Sequence, residues 1–245
     1  VLSLIFLAFL FEVIDSGLGM MYGTLLSPIL LVMGYPVLEV VPSILLSQAI
    51  GGFVGSISHH NNGNSNLTDV REDLGLVLIV VVTGLIASFL GVTFASKLPT
   101  MGIKIYIGSL AIIMGLLCLV KWSYTFSKKK ITAIGILASF NKSSTGGGFG
   151  PLCSTGLIVG GVESKASIAI TTLAEVPICI VSFILYAFQN KLPDSNFLTS
   201  LCVGSMIGGY FGPRLTANIE NNVLKKIVGI LAVISGSVVL YKVLV

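Results

Sequence analysis

Residues 141–151 read Asn-Lys-Ser-Ser-Thr-Gly-Gly-Gly-Phe-Gly-Pro. They separate two apolar runs, 131–140 and 149–160, each shorter than the roughly 20 residues that cross a bilayer as a helix. Three consecutive glycines let a backbone turn without Cβ clashes and come close to a neighbour. A helix interrupted here leaves N–H groups in need of acceptors. We therefore read Asn141 to Gly148 as a break between two short helices. Ser143, Ser144 and Thr145 add hydroxyl donors, and the helix after the break turns its positive N-terminus to the gap.

Working outward, the charges are sparse enough to mark the spans. Residues 40–58, 74–96, 105–120, 197–213 and 227–241 carry none, and 166–189 is interrupted only by Glu175. In lipid, backbone polar groups must pair within their own segment, so these stretches are expected as helices. The whole chain of 245 residues is 54% hydrophobic and 10% charged. A soluble domain carries about 25% charged residues. A water-soluble enzyme, a nucleic-acid binder and a disordered chain are thereby excluded, and the runs lack the alternation of an outer-membrane barrel. Residues 1–14 have the look of a signal segment. No small-residue cleavage site follows, and the pattern recurs later, so they are kept as structure. Cys118, Cys153, Cys179 and Cys202 stand singly in apolar runs and read as packing residues. His59 and His60 fall together in an expected polar loop, which leaves no metal site and no cofactor in view. Asn66-Leu67-Thr68 is a weak glycosylation sequon.

The chain repeats itself. Residues 1–14 and 18–33 flank Asp15-Ser16-Gly17, a second break. At an offset of 127, Gly19 meets Gly146, Gly23 meets Gly150, Ser27 meets Ser154, Gly34 meets Gly161 and Gln48 meets Glu175. At an offset of 121, Gly91 meets Gly212, Lys104 meets Lys225, Gly108 meets Gly229 and Gly115 meets Gly236. The expected fold is all-α. It is a polytopic membrane protein of two pseudo-symmetric, inverted repeats, each a broken helix or re-entrant pair plus three long helices. Residues 1–124 form the first repeat, 125–130 a basic linker and 131–245 the second, within one membrane domain. Three or five crossings per repeat give the inversion; a single broken crossing in place of each pair would make the repeats parallel. Placing Lys128–Lys130 in the cytoplasm puts nine Lys/Arg inside and four outside, as the positive-inside rule asks.

Broken helices at matching positions of two repeats point to a transport site. The candidate substrate ligands are Lys142, Ser143, Ser144, Thr145, Gly146, Gly147 and Gly148, with Gly17, Gly19 and Gln48 from the first repeat. Glu175 lies mid-span, where an ionisable group is costly and usually functional. Pro177 removes the hydrogen bond to the carbonyl of Leu173 beside it. Glu175 and Asp15 are the candidate coupling groups for H+ or Na+, while Glu12 depends on how deep its helix enters. Lys142 has three readings: snorkelling, facing substrate, or pairing with Asp15. Gly51–Gly55 and Gly204–Gly208–Gly212 read as packing faces. An intramembrane protease needs a nucleophile beside a buried base, which this sequence does not offer. A cation/proton antiporter using Asp15 and Glu175, or a passive channel, are the competing functions.

Two motifs carry a resemblance: Gly17-Leu18-Gly19-Met20-Met21-Tyr22-Gly23 with Pro28, and Thr145-Gly146-Gly147-Gly148-Phe149-Gly150-Pro151 after a basic linker. The pattern resembles the TauE/SafE sulfite-exporter family over nearly the whole chain. The resemblance implies a multi-pass secondary transporter of a small inorganic or organosulfur anion such as sulfite, thiosulfate or an organosulfonate. It would work by alternating access with the anion between the two breaks. Met20 and Met21 depart from the pattern, standing where glycines are expected.

Overall fold

A computed structural model describes residues 1–19, 21–62, 73–120, 128–159, 164–189, 192–215 and 221–244. Every regular element among them is a helix. In order these are α1 (Leu2–Leu18), α2 (Tyr22–Val32), α3 (Val37–Asn61), α4 (Asp73–Lys97), α5 (Thr100–Leu119), α6 (Lys128–Thr145), α7 (Phe149–Val159), α8 (Ser164–Phe188), α9 (Ser195–Leu215) and α10 (Asn221–Leu244). The order short, short, long, long, long thus occurs twice. By length and composition, Val37–Asn61, Val77–Lys97, Thr100–Leu117 and Ala166–Phe188 are long and apolar enough to cross a membrane. α4 turns Leu78, Val82, Ile86, Phe89 and Leu90 outward. A surface of that kind suits hydrocarbon, not water.

The breaks are shorter than their polar sequences suggest. α6 runs through Asn141–Thr145, and α1 runs through Asp15–Gly17 to Leu18. Only Gly146–Gly148 and residues 19–21 stand between helices. Gly19 (φ 66°) and Gly146 (φ 77°) close α1 and α6 in the left-handed conformation, donating to the carbonyls of Asp15 (2.6 Å) and Lys142 (2.8 Å). Gly148 (φ 82°) opens α7; Met21 (φ 112°) opens α2 with the same left-handed backbone, which costs a side-chain-bearing residue of order 1–3 kcal/mol. Lys128–Lys130, the basic end of the expected linker, form the first turn of α6. Residues 125–127 and the sequon at Asn66 lie outside the described residues. The loop expected at His59 begins after Asn61, since both histidines sit in the last turn of α3.

Helix directions follow from which glycines face what. α1 runs parallel to α9: Gly204 lies on Ile5 and Phe9, Gly208 on Glu12, and Gly212 on Val13 and Ser16. α6 runs parallel to α4: Gly135 lies on Val80, Ser139 on Gly84, and Phe140 and Ser143 on Gly91. α3 and α8 are antiparallel, with Gly55 on Thr172, Gly52 between Thr172 and Val176, and Gln48 on Glu175. α5 and α10 are antiparallel too. There Gly108 faces Gly236 and Gly115 faces Gly229, close enough that a Cβ at Gly236 would sit 2.5 Å from the Gly108 carbonyl oxygen. Backbones approach this closely only where side chains are absent.

Candidate functional site

The ends of α1 and α6 both reach Gln48 in the middle of α3, and the end of α6 reaches Glu175 in the middle of α8. Gly23 of α2 is pressed onto the second break, and a Cβ there would fall 1.5 Å from the Gly146 carbonyl oxygen. One at Gly147 would fall 2.8 Å from the Thr24 nitrogen. Ser27 Oγ donates to the Thr145 carbonyl oxygen at 2.8 Å, and Gly148 N–H donates to Thr24 Oγ1 at 2.9 Å. The two halves of the chain are therefore joined at the break, backbone against backbone.

The predicted donors are engaged within the protein. Gly146 N–H goes to Lys142 O, Gly147 N–H to Thr145 Oγ1 (3.1 Å), and Gly148 N–H to Thr24. Ser144 and Thr145 hydroxyls donate back to the carbonyls of Phe140 and Asn141, both at 2.7 Å, which lets α6 continue through a polar run. Ser143 Oγ pairs with Ser182 Oγ at 2.7 Å. Gly17 is in the last turn of α1, and Gly19 is its left-handed cap. A cavity lined by Gly23, Thr24, Ser27, Thr145, Gly147 and Gly148 among others measures ≈ 10 Å³, room for about one water.

One turn before the break, Lys142 points into the interior with 1% of its surface exposed. Its Nζ lies 2.9 Å from Glu175 Oε1 and donates to Gln48 Oε1. The Gln48 amide nitrogen donates to Asp15 Oδ2 (2.8 Å) and to Glu175 Oε2 (3.1 Å). Tyr22 N–H, at the first break, donates to Asp15 Oδ1 at 2.8 Å. The ion partner of Lys142 is Glu175, a pairing outside the three readings of the sequence; Gln48 stands between Lys142 and Asp15, the partner offered there. Lys142, Gln48, Asp15 and Glu175 thus form one network linking both breaks with α3 and α8. A buried ammonium and two carboxylates satisfied in this way are tolerable; removing one partner would strand the others.

Other buried polar contacts lie nearby: the sequence left the depth of Glu12 open, put His59 in a loop, and did not single out Tyr22, Ser47, Tyr186 or Ser205. Glu12, fully buried, accepts from Ser16 Oγ (2.8 Å) and lies 3.0 Å from Ser205 Oγ. Tyr22 OH pairs with Ser47 Oγ at 2.9 Å. His59 Nε2 reaches the Ser16 carbonyl oxygen at 2.6 Å, and Tyr186 OH donates to the Ser143 carbonyl oxygen at 3.1 Å. Each broken helix therefore has a carbonyl of its last turn engaged by a side chain from the last turn of a long helix. An offset of 127 relates these residues, Ser16 to Ser143 and His59 to Tyr186, but each type alone is too common to notice. Cys153 packs in an apolar cluster with Phe149 and Leu157. Among the described residues no cluster of His, Cys, Asp and Glu suits a metal ion.

Comparison with known proteins adds to this geometry. The chain is 24% identical over 238 residues to the probable membrane transporter protein YtnM of Bacillus subtilis (strain 168), covering 91% of this chain and 77% of that one. It is also 24% identical over 232 residues to the probable membrane transporter protein YdhB of the same organism, covering 89% of this chain and 91% of that one. No solved structure matches it. Residues 4–239 match the sulfite exporter TauE/SafE family model. With its helical architecture, lipid-suited surface and paired breaks, this multi-pass membrane protein belongs to the TauE/SafE family of membrane transporters.

Proposed function

We propose that the chain is a secondary transporter of a small sulfur-containing anion, such as sulfite, thiosulfate or an organosulfonate. The observation that carries this reading is the buried ammonium of Lys142, one turn from the glycine break of α6. A cation held in the interior at a helix discontinuity is the natural counter-charge for an anion. Gln48 supplies an amide beside it. The hydroxyls of Ser143–Thr145 and the N–H groups of Gly146–Gly148 become ligands when the contact of Gly23 with Gly146 and Gly147 opens. Gly17 and Gly19 give the first break the same freedom. Glu175 and Asp15, held through Lys142 and Gln48, exchange with the anion for these partners and so link its binding to H+ or Na+.

The two halves, 1–124 and 131–245, act as inverted repeats in this reading. The antiparallel courses of α3 with α8 and of α5 with α10 support it. So does the recurrence of α1 on α9 as α6 on α4, with Gly212 on Val13 and Ser16, and Gly91 on Phe140 and Ser143. Alternating access is then movement of one half against the other, with Lys128–Lys130 on the cytoplasmic side. A second reading, cation/proton antiport through Asp15 and Glu175, draws on the surplus of buried carboxyls over Lys142.

A thermal-shift screen of the purified protein against sulfite, thiosulfate, sulfate, taurine and sulfoacetate tests the proposal. An anion at about 100 times its dissociation constant stabilises by roughly 2.7 kcal/mol. The shift should vanish in Lys142→Met. No response to any sulfur anion, together with cation counterflow in proteoliposomes, would favour the antiporter.

A further inference from the structure

We infer that Glu12 carries the proton that travels with the transported anion, while Glu175 and Asp15, by exchanging partners with the anion, only link its binding to that proton. The inference rests on the anion-transport reading above and concerns a carboxyl that reading does not use.

Hydrogen-bond bookkeeping around Glu12 is the first argument. Ser205 Oγ lies 2.8 Å from the Ser47 carbonyl oxygen and 3.0 Å from Glu12 Oε2. A carbonyl only accepts, and a hydroxyl has one proton. When Ser205 gives its proton to Ser47, its contact with Glu12 is a hydrogen bond only if Oε2 carries a proton and donates. Glu12 Oε1 meanwhile accepts from Ser16 Oγ at 2.8 Å. A neutral Glu12 thus satisfies all three contacts at once, whereas an ionised one must compete with Ser47 for the single hydroxyl proton.

The surroundings give a second, independent argument. Gly51 and Gly208 wall the carboxyl so tightly that a Cβ at Gly51 would fall 2.6 Å from Glu12 Cδ, and one at Gly208 2.7 Å from Glu12 Cβ. Its titratable neighbours are Asp15 on α1 itself, Tyr22 on α2, and Glu175 and Cys179 on α8; behind Ser16 and Tyr22 stand His59 at the end of α3 and Cys202 on α9. The bonds that hold the Glu12 carboxyl come from Ser16 and Ser205, and neither is a cation. Glu175 is different, since its charge is matched by Lys142.

Binding of an anion adds negative charge to an interior that already holds three carboxyls around one ammonium. A proton on Glu12 offsets part of that charge, so proton and anion travel together. The proton leaves Glu12 Oε2 for water on the side where the anion leaves, and another is taken up when the site reloads.

The test uses the full chain in proteoliposomes with labelled thiosulfate and sulfoacetate, both fully ionised at neutral pH, and the membrane potential clamped at zero. Two readouts are taken: anion counterflow, and accumulation driven by an acid exterior. One pH unit sustains about tenfold accumulation per coupled proton. The wild type should accumulate anion. Glu12→Gln should keep counterflow and lose the accumulation, and Glu12→Asp, which retains a titrating group, should keep both. Accumulation by Glu12→Gln equal to the wild type overturns the inference, as does equal behaviour of the two variants. A wild type that exchanges anion without responding to the pH gradient also overturns it, while leaving the transport reading intact. Absence of counterflow for both anions in the wild type removes the transport reading itself.

Discussion

Gln48 Nε2 donates to Glu175 Oε2 at 3.1 Å, joining the middles of α3 and α8 across 127 positions of sequence. The Gln48 carbonyl oxygen faces Lys142, so one amide holds a carboxylate and an ammonium together. The network is satisfied as a whole, and its members are expected to fail together.

Lys142→Met and Glu175→Gln each leave a buried partner uncompensated. Each should destabilise the protein by about 3–5 kcal/mol. The double variant Lys142→Met/Glu175→Gln removes both charges, and its melting temperature in detergent should recover most of the loss. Anion transport should be absent in the double variant all the same, because the counter-charge is gone. Additive losses in a double-mutant cycle would mean the pair is not coupled.

Gly23→Ala places a methyl group on the Gly146 carbonyl oxygen, where a Cβ has no room. Overpacking costs about 1–3 kcal/mol, more where backbone must move. We expect a lowered melting temperature and no transport. Gly147→Leu meets the Gly23 and Thr24 backbone and should behave in the same way. Normal transport by either variant would show that the halves do not stay in contact here.

Ser144→Ala should be mild. The hydroxyl returns to the carbonyls of Phe140 and Asn141 within its own helix, and a neutral bond of this kind contributes about 0.5–1.5 kcal/mol. A loss of anion affinity greater than about tenfold, read by thermal shift, would place Ser144 on the substrate instead.

Cysteines introduced at Asn62 and Lys129 in a background without native cysteines should both react with an impermeant maleimide from the cytoplasmic side only. Both positions lie at helix ends and Lys129 is exposed. Labelling from opposite sides would rule out the inverted arrangement.

The long helices were readable because charges are expelled from the spans. Residues 40–58, 166–189 and 197–213 fall inside or within a residue of Val37–Asn61, Ser164–Phe188 and Ser195–Leu215. The breaks were displaced because Lys142–Thr145 look like loop residues in isolation. Inside the protein their side chains find partners, the serines and threonine largely in their own helix and Lys142 across it, so the helix persists to Thr145. The pairing of Lys142 with Glu175, and not directly with Asp15, depends on where α8 passes. Nothing local to either residue encodes that. Glu12 was undecidable for the same reason: its depth is set by Gly51 and Gly208, far away in the chain.

That distance bears on how the protein is made. Glu12 is made before its surroundings: Ser205, one of its two hydroxyl partners, is translated 193 residues after it. α1 likewise waits for α9, and α5 for α10. The nascent first half therefore exposes a carboxyl and glycine-lined seams until α9 and α10 arrive. We expect insertion machinery or a membrane chaperone to shelter it in the interval. Chains truncated before α9 should be cleared by membrane proteases rather than persist as half-built transporters.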